Sequence, residues 1–347
     1  MTTALPRATA LLGDPEDPAN PLGFAAAVEA DERRELPEPA ALDRTEEFLQ
    51  ALGARDLGLV LGRALAPALT GDPTPAAHTF AVGGPLRARR SGRVLLLDGE
   101  VHATGPRRLL LTVELDGAAR HLQLPAELRP SVGAAYRTPG LRGCRPHRLV
   151  FTAHPVPVTA LVDAPADRAA EARALAAATI GALDTQLRTT LRFAERRELY
   201  GRPVIALPSA RAVLAEAFAD LLTADRCRAE GVTAPVEQLV RDAGHRLSLL
   251  LGARSYLREG EHAIFQKHQR DLTTLAALRG PRPGPGEQQR REAAEACRRV
   301  RQRATEPLLR EQDRPAGRTD RTEALLAELR HRLHSGRSFD LSNRPVN

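Results

Sequence analysis

Several residue types are scarce in this sequence, and each scarcity limits what the protein is. Among 347 residues there is no tryptophan, aromatic residues make up 3%, and Lys267 is the only lysine. Modules that bind single-stranded nucleic acids stack bases on aromatic side chains, so the composition argues against a nucleic-acid-binding protein. The core must instead consist mainly of Leu, Ala and Val, and an apolar content of 42% is enough for a globular fold.

The three cysteines, Cys144, Cys227 and Cys297, are odd in number and lack the spacing of a metal or redox motif. The histidines also lack metal-ligand spacing, so no metal site is predicted. Because disulfides are not implied, a reducing cytoplasm is the simplest location. We find no signal-peptide pattern and no apolar run near the about 20 residues of a membrane helix, so we expect no membrane partner.

Basic residues exceed acidic ones, giving a net charge of +7 and a pI of about 10.2. A functional interpretation is an anionic partner such as a nucleotide cofactor, CoA or an acidic carrier protein. The alternative is a coding bias, because abundant Ala, Gly, Pro and Arg are typical of a bacterial genome of high GC content. The sequence leaves both open.

Changes in periodicity divide the chain into regions of different secondary structure. Asp98-Gly99 and Asp116-Gly117 read as turns between short strands, and the last residues look disordered. The predicted regions are a shortened helical N-terminal domain (1–78), a small antiparallel β domain (79–163), a C-terminal helical bundle (164–280), and a Pro/Gly linker with a charged helical tail (281–347).

Residues 191–228 carry the most specific pattern, a helix, a tight turn and a second helix. The turn is Tyr200-Gly201-Arg202-Pro203, three residues after Arg197. This string resembles the C-terminal helical domain of the acyl-CoA dehydrogenase family, in which an Arg precedes a Phe-Gly-Lys-Pro turn by the same spacing. Arg197 takes the Arg position and Tyr200 the Phe position.

Three further segments match the family in the right order. Residues 85–105 resemble its first β hairpin, residues 141–157 its Leu-Arg-Gly-Ser strand pair, and Arg270-Asp271 its Leu-x-Arg-Asp helix. The resemblance therefore covers about residues 79–280. It implies a multidomain α+β fold with a helical N-terminal region, an antiparallel β domain and a C-terminal four-helix bundle.

The resemblance also implies a reaction, the α,β-dehydrogenation of an acyl thioester, in which a carboxylate removes the α proton. The usual position of this base holds Arg279, and an always-charged guanidinium cannot accept a proton. The family has a second base position, which here is Glu171. The alternative is that Glu171 is an ordinary glutamate in a first helical turn, where the helix dipole favours it.

FAD is the cofactor that the family implies, and its expected contacts are Arg197 on the pyrophosphate, Tyr200 in the same turn, and Thr104 beside the isoalloxazine ring. The departures from the family pattern imply that flavin binding is weak, is shared across subunits or has been lost. The other flavin-contact positions that have changed are Pro208, Leu249, Ala253 and Ser255.

Three functions follow as hypotheses. The first is a flavoenzyme that oxidises an acyl group bound to CoA or to an acyl carrier protein, in bacterial secondary metabolism, with Glu171 as the base. The second is a non-catalytic partner subunit of a heteromeric acyl-CoA dehydrogenase. The third is a flavin-free enzyme that reuses the fold. A homo-oligomer, or a hetero-oligomer with a family homologue, is expected in the first two cases.

Overall fold

The structure is a computed structural model, in which a β sheet and an α-helical bundle make up most of the described residues. It describes residues 45–61, 78–80, 86–104, 108–128, 130, 138–141, 146–162, 168–279, 287–310 and 321–345. The predictions for the first 44 residues and for the linker at 280–286 lie outside the described residues.

The N-terminal region contributes helix α1 (Thr45–Arg55), followed by a short helical turn at Leu57–Leu59. Helix α1 packs along the longest helix of the protein, α2 (Arg168–Arg196). Glycines allow this close approach: a Cβ at Gly53 would collide with the backbone of α2, and a Cβ at Gly181 would collide with the backbone of α1. The two helices are therefore in backbone contact.

A mixed sheet of seven strands follows α1 in the sequence. In space its order is β6-β3-β2-β4-β5-β7, and β1 pairs with β4. The strands are β1 (His78–Phe80), β2 (Leu86–Ser91), β3 (Val94–Thr104), β4 (Arg108–Leu115), β5 (Ala118–Leu124), β6 (Pro146–Pro157) and β7 (Leu161–Val162).

Four of the strand pairings are antiparallel, as the sequence predicts, but β2 and β1 each run parallel to β4. In the sheet β4 lies between β2 and β5, on the side of β2 opposite β3, and it runs in the same direction as β1 and β2. The leucine-rich faces of β3, β4 and β5 form the core of this sheet, which is separate from the cores of the helical regions.

The two predicted turns behave differently. Asp116-Gly117 is a turn, with both residues at positive φ (53° and 75°), and it joins β4 to β5. The prediction of a turn at Asp98-Gly99 is wrong, because β3 continues through it with a register shift against β6. A β bulge uses the same permissive glycine, here at φ 130°, without reversing the chain.

Four helices form the C-terminal bundle: α2, α3 (Pro208–Ala229), α4 (Val236–Leu251) and α5 (Ala263–Leu278). Their Ala- and Leu-rich faces share one core, in which Phe218 and Phe265 are the largest fully buried side chains from the bundle itself. The fold predicted from the sequence, a β region beside a four-helix bundle, is confirmed.

Two more helices, α6 (Glu287–Arg310) and α7 (Arg321–His334), pack against α3. Disorder was expected after them, and this prediction is wrong for residues 335–345. Phe339 is fully buried there, edge-to-face on Phe218 at 6.0 Å between ring centroids. The carboxylates of Asp184 and Asp225 accept hydrogen bonds from this segment's backbone, so long-range contacts order it.

None of the helices within the described ranges combines the length and the apolar character needed to cross a lipid bilayer.

Candidate functional site

Glu171 lies in the first turn of α2 and is half-buried. Two residues later, Arg173 forms an ion pair with Glu46 of α1 at 3.2 Å. The predicted base is therefore on a rigid helix, at the end of the bundle where α1 and α2 meet.

Arg279 directly follows the last residue of α5 and lies at the same end of the bundle. Its guanidinium Nη1 is 3.4 Å from a carboxylate oxygen of Glu237 in α4, and the same carboxylate is 3.5 Å from Arg241. At the usual base position of the resembled family, the structure thus holds a cation that is already engaged in an ion-pair network.

A cavity of about 220 Å³ separates the start of α2 from α4 and the end of α5. Ala172, the neighbour of Glu171, lines it, and so does Arg279. Of the two sequence-predicted base positions, Arg279 therefore lines the cavity directly, whereas Glu171 is related to it through its neighbour Ala172.

Arg197 and Tyr200 lie at the other end of α2. The chain leaves the helix after Arg196 and forms a two-stranded hairpin, β8 (Glu198–Leu199) and β9 (Arg202–Pro203). Tyr200 and Gly201 occupy its turn with φ of 54° and 72°, as two-residue hairpin turns require. The local sequence thus explains why the helix ends here and how Arg197 is presented.

The side chains of this hairpin face solvent. Tyr200 is 93% exposed, and Arg197 is exposed as well. Among the residues that the structure describes, none forms a hydrogen bond or ion pair with the guanidinium of Arg197. A guanidinium left available in this way is suited to a phosphate ligand, which it binds through two parallel hydrogen bonds.

The hairpin belongs to a larger exposed surface, which we call the hairpin end. The turns after α4 pack on the end of α2: Arg254 stacks over Phe193 at 5.2 Å, and Arg196 pairs with Glu261 at 3.4 Å. This surface brings exposed apolar side chains together with arginines that form no ion pair with the residues the structure describes. Its exposed members are Leu199, Tyr200, Leu249, Tyr256 and Leu257, together with Arg197, Arg202 and Arg258.

The changed flavin-contact positions have structural uses of their own. Pro208 is the first residue of α3, where a missing N–H is harmless. Leu249 is 68% exposed, and the hydroxyl of buried Ser255 donates a hydrogen bond to the carbonyl of Gly252 at 2.7 Å. Thr104 ends β3, but its side chain is outside the described part of the structure.

Glu171 and Arg197 do not meet within one chain. They are 26 positions apart along α2, and at about 1.5 Å per residue this is about 39 Å. The ring and the pyrophosphate of one flavin dinucleotide are much closer together than this. A site that uses both residues on the same cofactor therefore needs two chains.

A buried charge cluster between α1 and α5 was missed by the sequence reasoning. Lys267, the only lysine, places its Nζ 2.6 Å from Asp271 and 3.1 Å from Asp56. Burial alone would lower the pKa of Lys267, but the two carboxylates raise it. Burial also raises the pKa of Asp271, although Lys267 opposes this effect. The i,i+4 pair is visible in the sequence, whereas Asp56 is too distant to be recognised.

The cluster also fixes the chain that enters from the β region. The second oxygen of Asp271 accepts a hydrogen bond from the backbone N–H of Leu141 at 2.6 Å, and Thr274 accepts one from Gly140 at 2.9 Å. A Cβ at Gly140 would collide with the backbone of α5. Arg270-Asp271, singled out in the sequence by its resemblance, therefore has a structural use in attaching this segment to α5.

The cysteines and histidines that the structure describes give no sign of a second reactive centre. Burial raises the pKa of the Cys227 thiol to about 12, which leaves it protonated and unreactive. Burial lowers the pKa of His268 to about 3, and its Nε2 donates to the carbonyl of Ala54 at 2.8 Å. Within the described ranges, no three metal-ligating side chains are grouped.

The arrangement of a β sheet beside a four-helix bundle defines the class of fold, and comparisons with solved structures identify it. The chain is similar to glutaryl-CoA dehydrogenase from Mycobacterium smegmatis (TM-score 0.55, 18% identity), over 79% of this chain and 86% of that one. It is also similar to an acyl-CoA dehydrogenase from Geobacillus kaustophilus (TM-score 0.55, 14% identity), over 80% and 88%.

A third similar structure is the ChsE4–ChsE5 complex from Mycobacterium tuberculosis (TM-score 0.54, 18% identity), matched over 78% of this chain and 92% of that one. No protein-family model and no curated protein sequence matches the chain. The chain therefore has the fold of the acyl-CoA dehydrogenases, as its sequence motifs predict, at a low level of sequence identity.

Proposed function

We propose that this chain is a subunit of an acyl-CoA dehydrogenase-type flavoprotein that performs α,β-dehydrogenation of an acyl thioester. The acyl carrier is CoA or a carrier protein, and we place the reaction in bacterial secondary metabolism in a reducing cytoplasm. The observation that carries the proposal is the exposed guanidinium of Arg197, presented on the hairpin at the end of α2 within this fold.

FAD is the cofactor that the hairpin end suits. Arg197 would hold the pyrophosphate, and the exposed ring of Tyr200 is available beside it. When bound, FAD supplies the acceptor for the β hydride. Thr104 of β3 remains the proposed neighbour of the isoalloxazine ring. Because Glu171 is about 39 Å from Arg197 along α2, the proposal requires FAD to lie between two chains.

Glu171 is the proposed base for the α proton. It is half-buried at the start of α2, its neighbour Ala172 lines the cavity, and a carboxylate held on a helix beside a substrate cavity is suited to proton abstraction. Helix α2 holds it in place through its contacts with α1, so its position is set by the fold and not by a loop.

The test is turnover of acyl thioesters by the purified oligomer, followed through an artificial electron acceptor. We expect Glu171→Gln to lower kcat by at least about a hundredfold, the usual contribution of a positioned base, with little change in KM. Glu295→Gln removes the same charge from the exposed surface of α6 and is the matched control. Equal activity of Glu171→Gln and Glu295→Gln would refute the base assignment.

A second candidate function is a non-catalytic subunit that completes the site of an intact homologue. It is favoured by Arg279, which puts an ion-paired cation at the usual base position, and by the similarity to a complex of two differently named chains. Co-expression with a complete homologue distinguishes the two. If the chain is a non-catalytic subunit, Glu171→Gln has no effect on the turnover of the mixed oligomer, whereas removal of the homologue's base abolishes this turnover.

A further inference from the structure

A cavity lies between α2, α4 and α5. One wall is a stripe of α2 at helical spacing, Ala172, Ala176 and Thr179, and the small residues of this stripe create the space. Helix α1 packs on a neighbouring flank of α2, against the backbone of Ala178, and two leucines of the cavity wall, Leu175 and Leu275, also belong to the core that α1 shares with α2.

The inner surface of the cavity is apolar. Leu175 and Val240 are buried, and Leu272 and Leu275 close it from α5. An apolar cavity of about 150 Å³ holds one benzene molecule, so a cavity of about 220 Å³ has room for about six to eight carbon atoms. The interior therefore fits a short aliphatic chain.

The rim of the cavity is charged. Arg279 and Arg241 both face the carboxylate of Glu237, at 3.4 Å and 3.5 Å, so this rim brings two guanidinium groups to one carboxylate. Arg241 is half-exposed and reaches solvent at the mouth. A second carboxylate arriving from solvent would meet an arginine pair that geometry already suits to carboxylates.

We propose that this cavity binds an unbranched aliphatic chain of about six to eight carbons that ends in a carboxylate, with the chain inside and the carboxylate on Arg241 and Arg279. Two sources share this chemistry: a free medium-chain carboxylate, and the far end of a dicarboxylic acyl thioester. The second source rests on the proposed function and would bring the acyl chain beside Glu171.

Binding is measured by isothermal titration calorimetry on the full chain with octanoate, with octanol as the uncharged match, and with the mono-N-acetylcysteamine thioester of suberic acid. Octanoate is expected to bind at least about tenfold more tightly than octanol, because a hydrogen bond to a charged group contributes about 1.4 kcal/mol or more. Equal binding of octanoate and octanol, or no binding of either, overturns the proposal.

Two pairs of variants locate the site. Arg241→Gln should weaken the binding of octanoate about tenfold and leave the binding of octanol unchanged. Arg299→Gln on the exposed surface of α6 should change the binding of neither ligand. Ala276→Phe fills the cavity and should abolish binding of both ligands. Ala277→Phe adds the same bulk to the exposed neighbour outside the cavity and is its control. Unchanged binding by Ala276→Phe would show that the ligand binds elsewhere.

The thioester arm separates this inference from the proposed function. Tight binding of octanoate without binding of the suberyl thioester assigns the cavity to a free carboxylate. Tight binding of both assigns it to the acyl end of the substrate. Because calorimetry needs neither FAD nor turnover, it tests ligand binding in the cavity even if dehydrogenase activity is absent.

Discussion

His268 makes the stability of the bundle depend on pH in a way that one substitution isolates. The imidazole is fully buried in α5; its Nε2 donates a hydrogen bond to the carbonyl of Ala54, and its Nδ1 has no hydrogen-bond partner among the described residues. Burial, and then the positive charge of Lys267, lower its pKa from 6.5 to about 3; of its charged neighbours, Asp56 opposes this shift and Arg55 adds to it.

The size of the effect follows from proton linkage. Between pH 6.5 and about 3 the unfolded chain binds a proton at this histidine and the folded protein does not. The contribution of His268 to the free energy of unfolding is therefore fully present above about pH 6.5. It is lost as the pH falls, by about 1.4 kcal/mol per pH unit. From pH 7.5 to pH 5 this single group removes about 2 kcal/mol.

The assay is urea denaturation of the wild-type protein and of His268→Gln at pH 7.5, 6 and 5. Glutamine can keep the hydrogen bond to Ala54 and does not titrate, so the variant should lose about 2 kcal/mol less between pH 7.5 and 5. The exposed His245→Gln is the control and should follow the wild type. Identical pH profiles for wild type and His268→Gln would show that His268 does not set this pH dependence.

Two further predictions concern long-range contacts. Lys267→Met leaves the buried carboxylates of Asp56 and Asp271 uncompensated and should destabilise the protein by about 3–5 kcal/mol in urea denaturation. The loss should be smaller at low pH, where a carboxylate is protonated. A loss below about 0.5 kcal/mol would contradict this prediction. Phe339→Ala removes a fully buried ring and should cost about 3–5 kcal/mol and expose residues 335–345 to proteases. A C-terminal segment that remains protease-resistant in Phe339→Ala would contradict its anchoring by this ring.

Local chemistry made much of the fold predictable. The end of α2 and its hairpin could be anticipated because Gly201 and Pro203 act within a few residues of the chain. The turn predicted at Asp98-Gly99 is wrong because a glycine that permits a turn also permits a bulge. Which of the two forms depends on pairing with β6, which the local sequence does not reveal.

Contacts between distant residues could not be predicted. Asp56 and Lys267 are 211 positions apart, and the C-terminal residues are ordered by Asp184 and Asp225, which belong to α2 and α3. Nothing in the spacing of these residues reveals such partners. The domain boundaries and the roles of Glu171 stay predictions for experiments to test.

Binding of the FAD phosphates by Arg197 at the hairpin end is the proposed role that experiment can reach most directly. The most direct measurement is an equilibrium titration of the purified chain with FAD, comparing wild type, Arg197→Gln and the exposed control Arg299→Gln. Because Arg197→Gln loses a charged contact to phosphate, it should bind FAD about tenfold or more weakly than the wild type. Arg299→Gln should bind FAD as tightly as the wild type. Equal FAD affinity of all three proteins would show that Arg197 does not bind the phosphates of FAD.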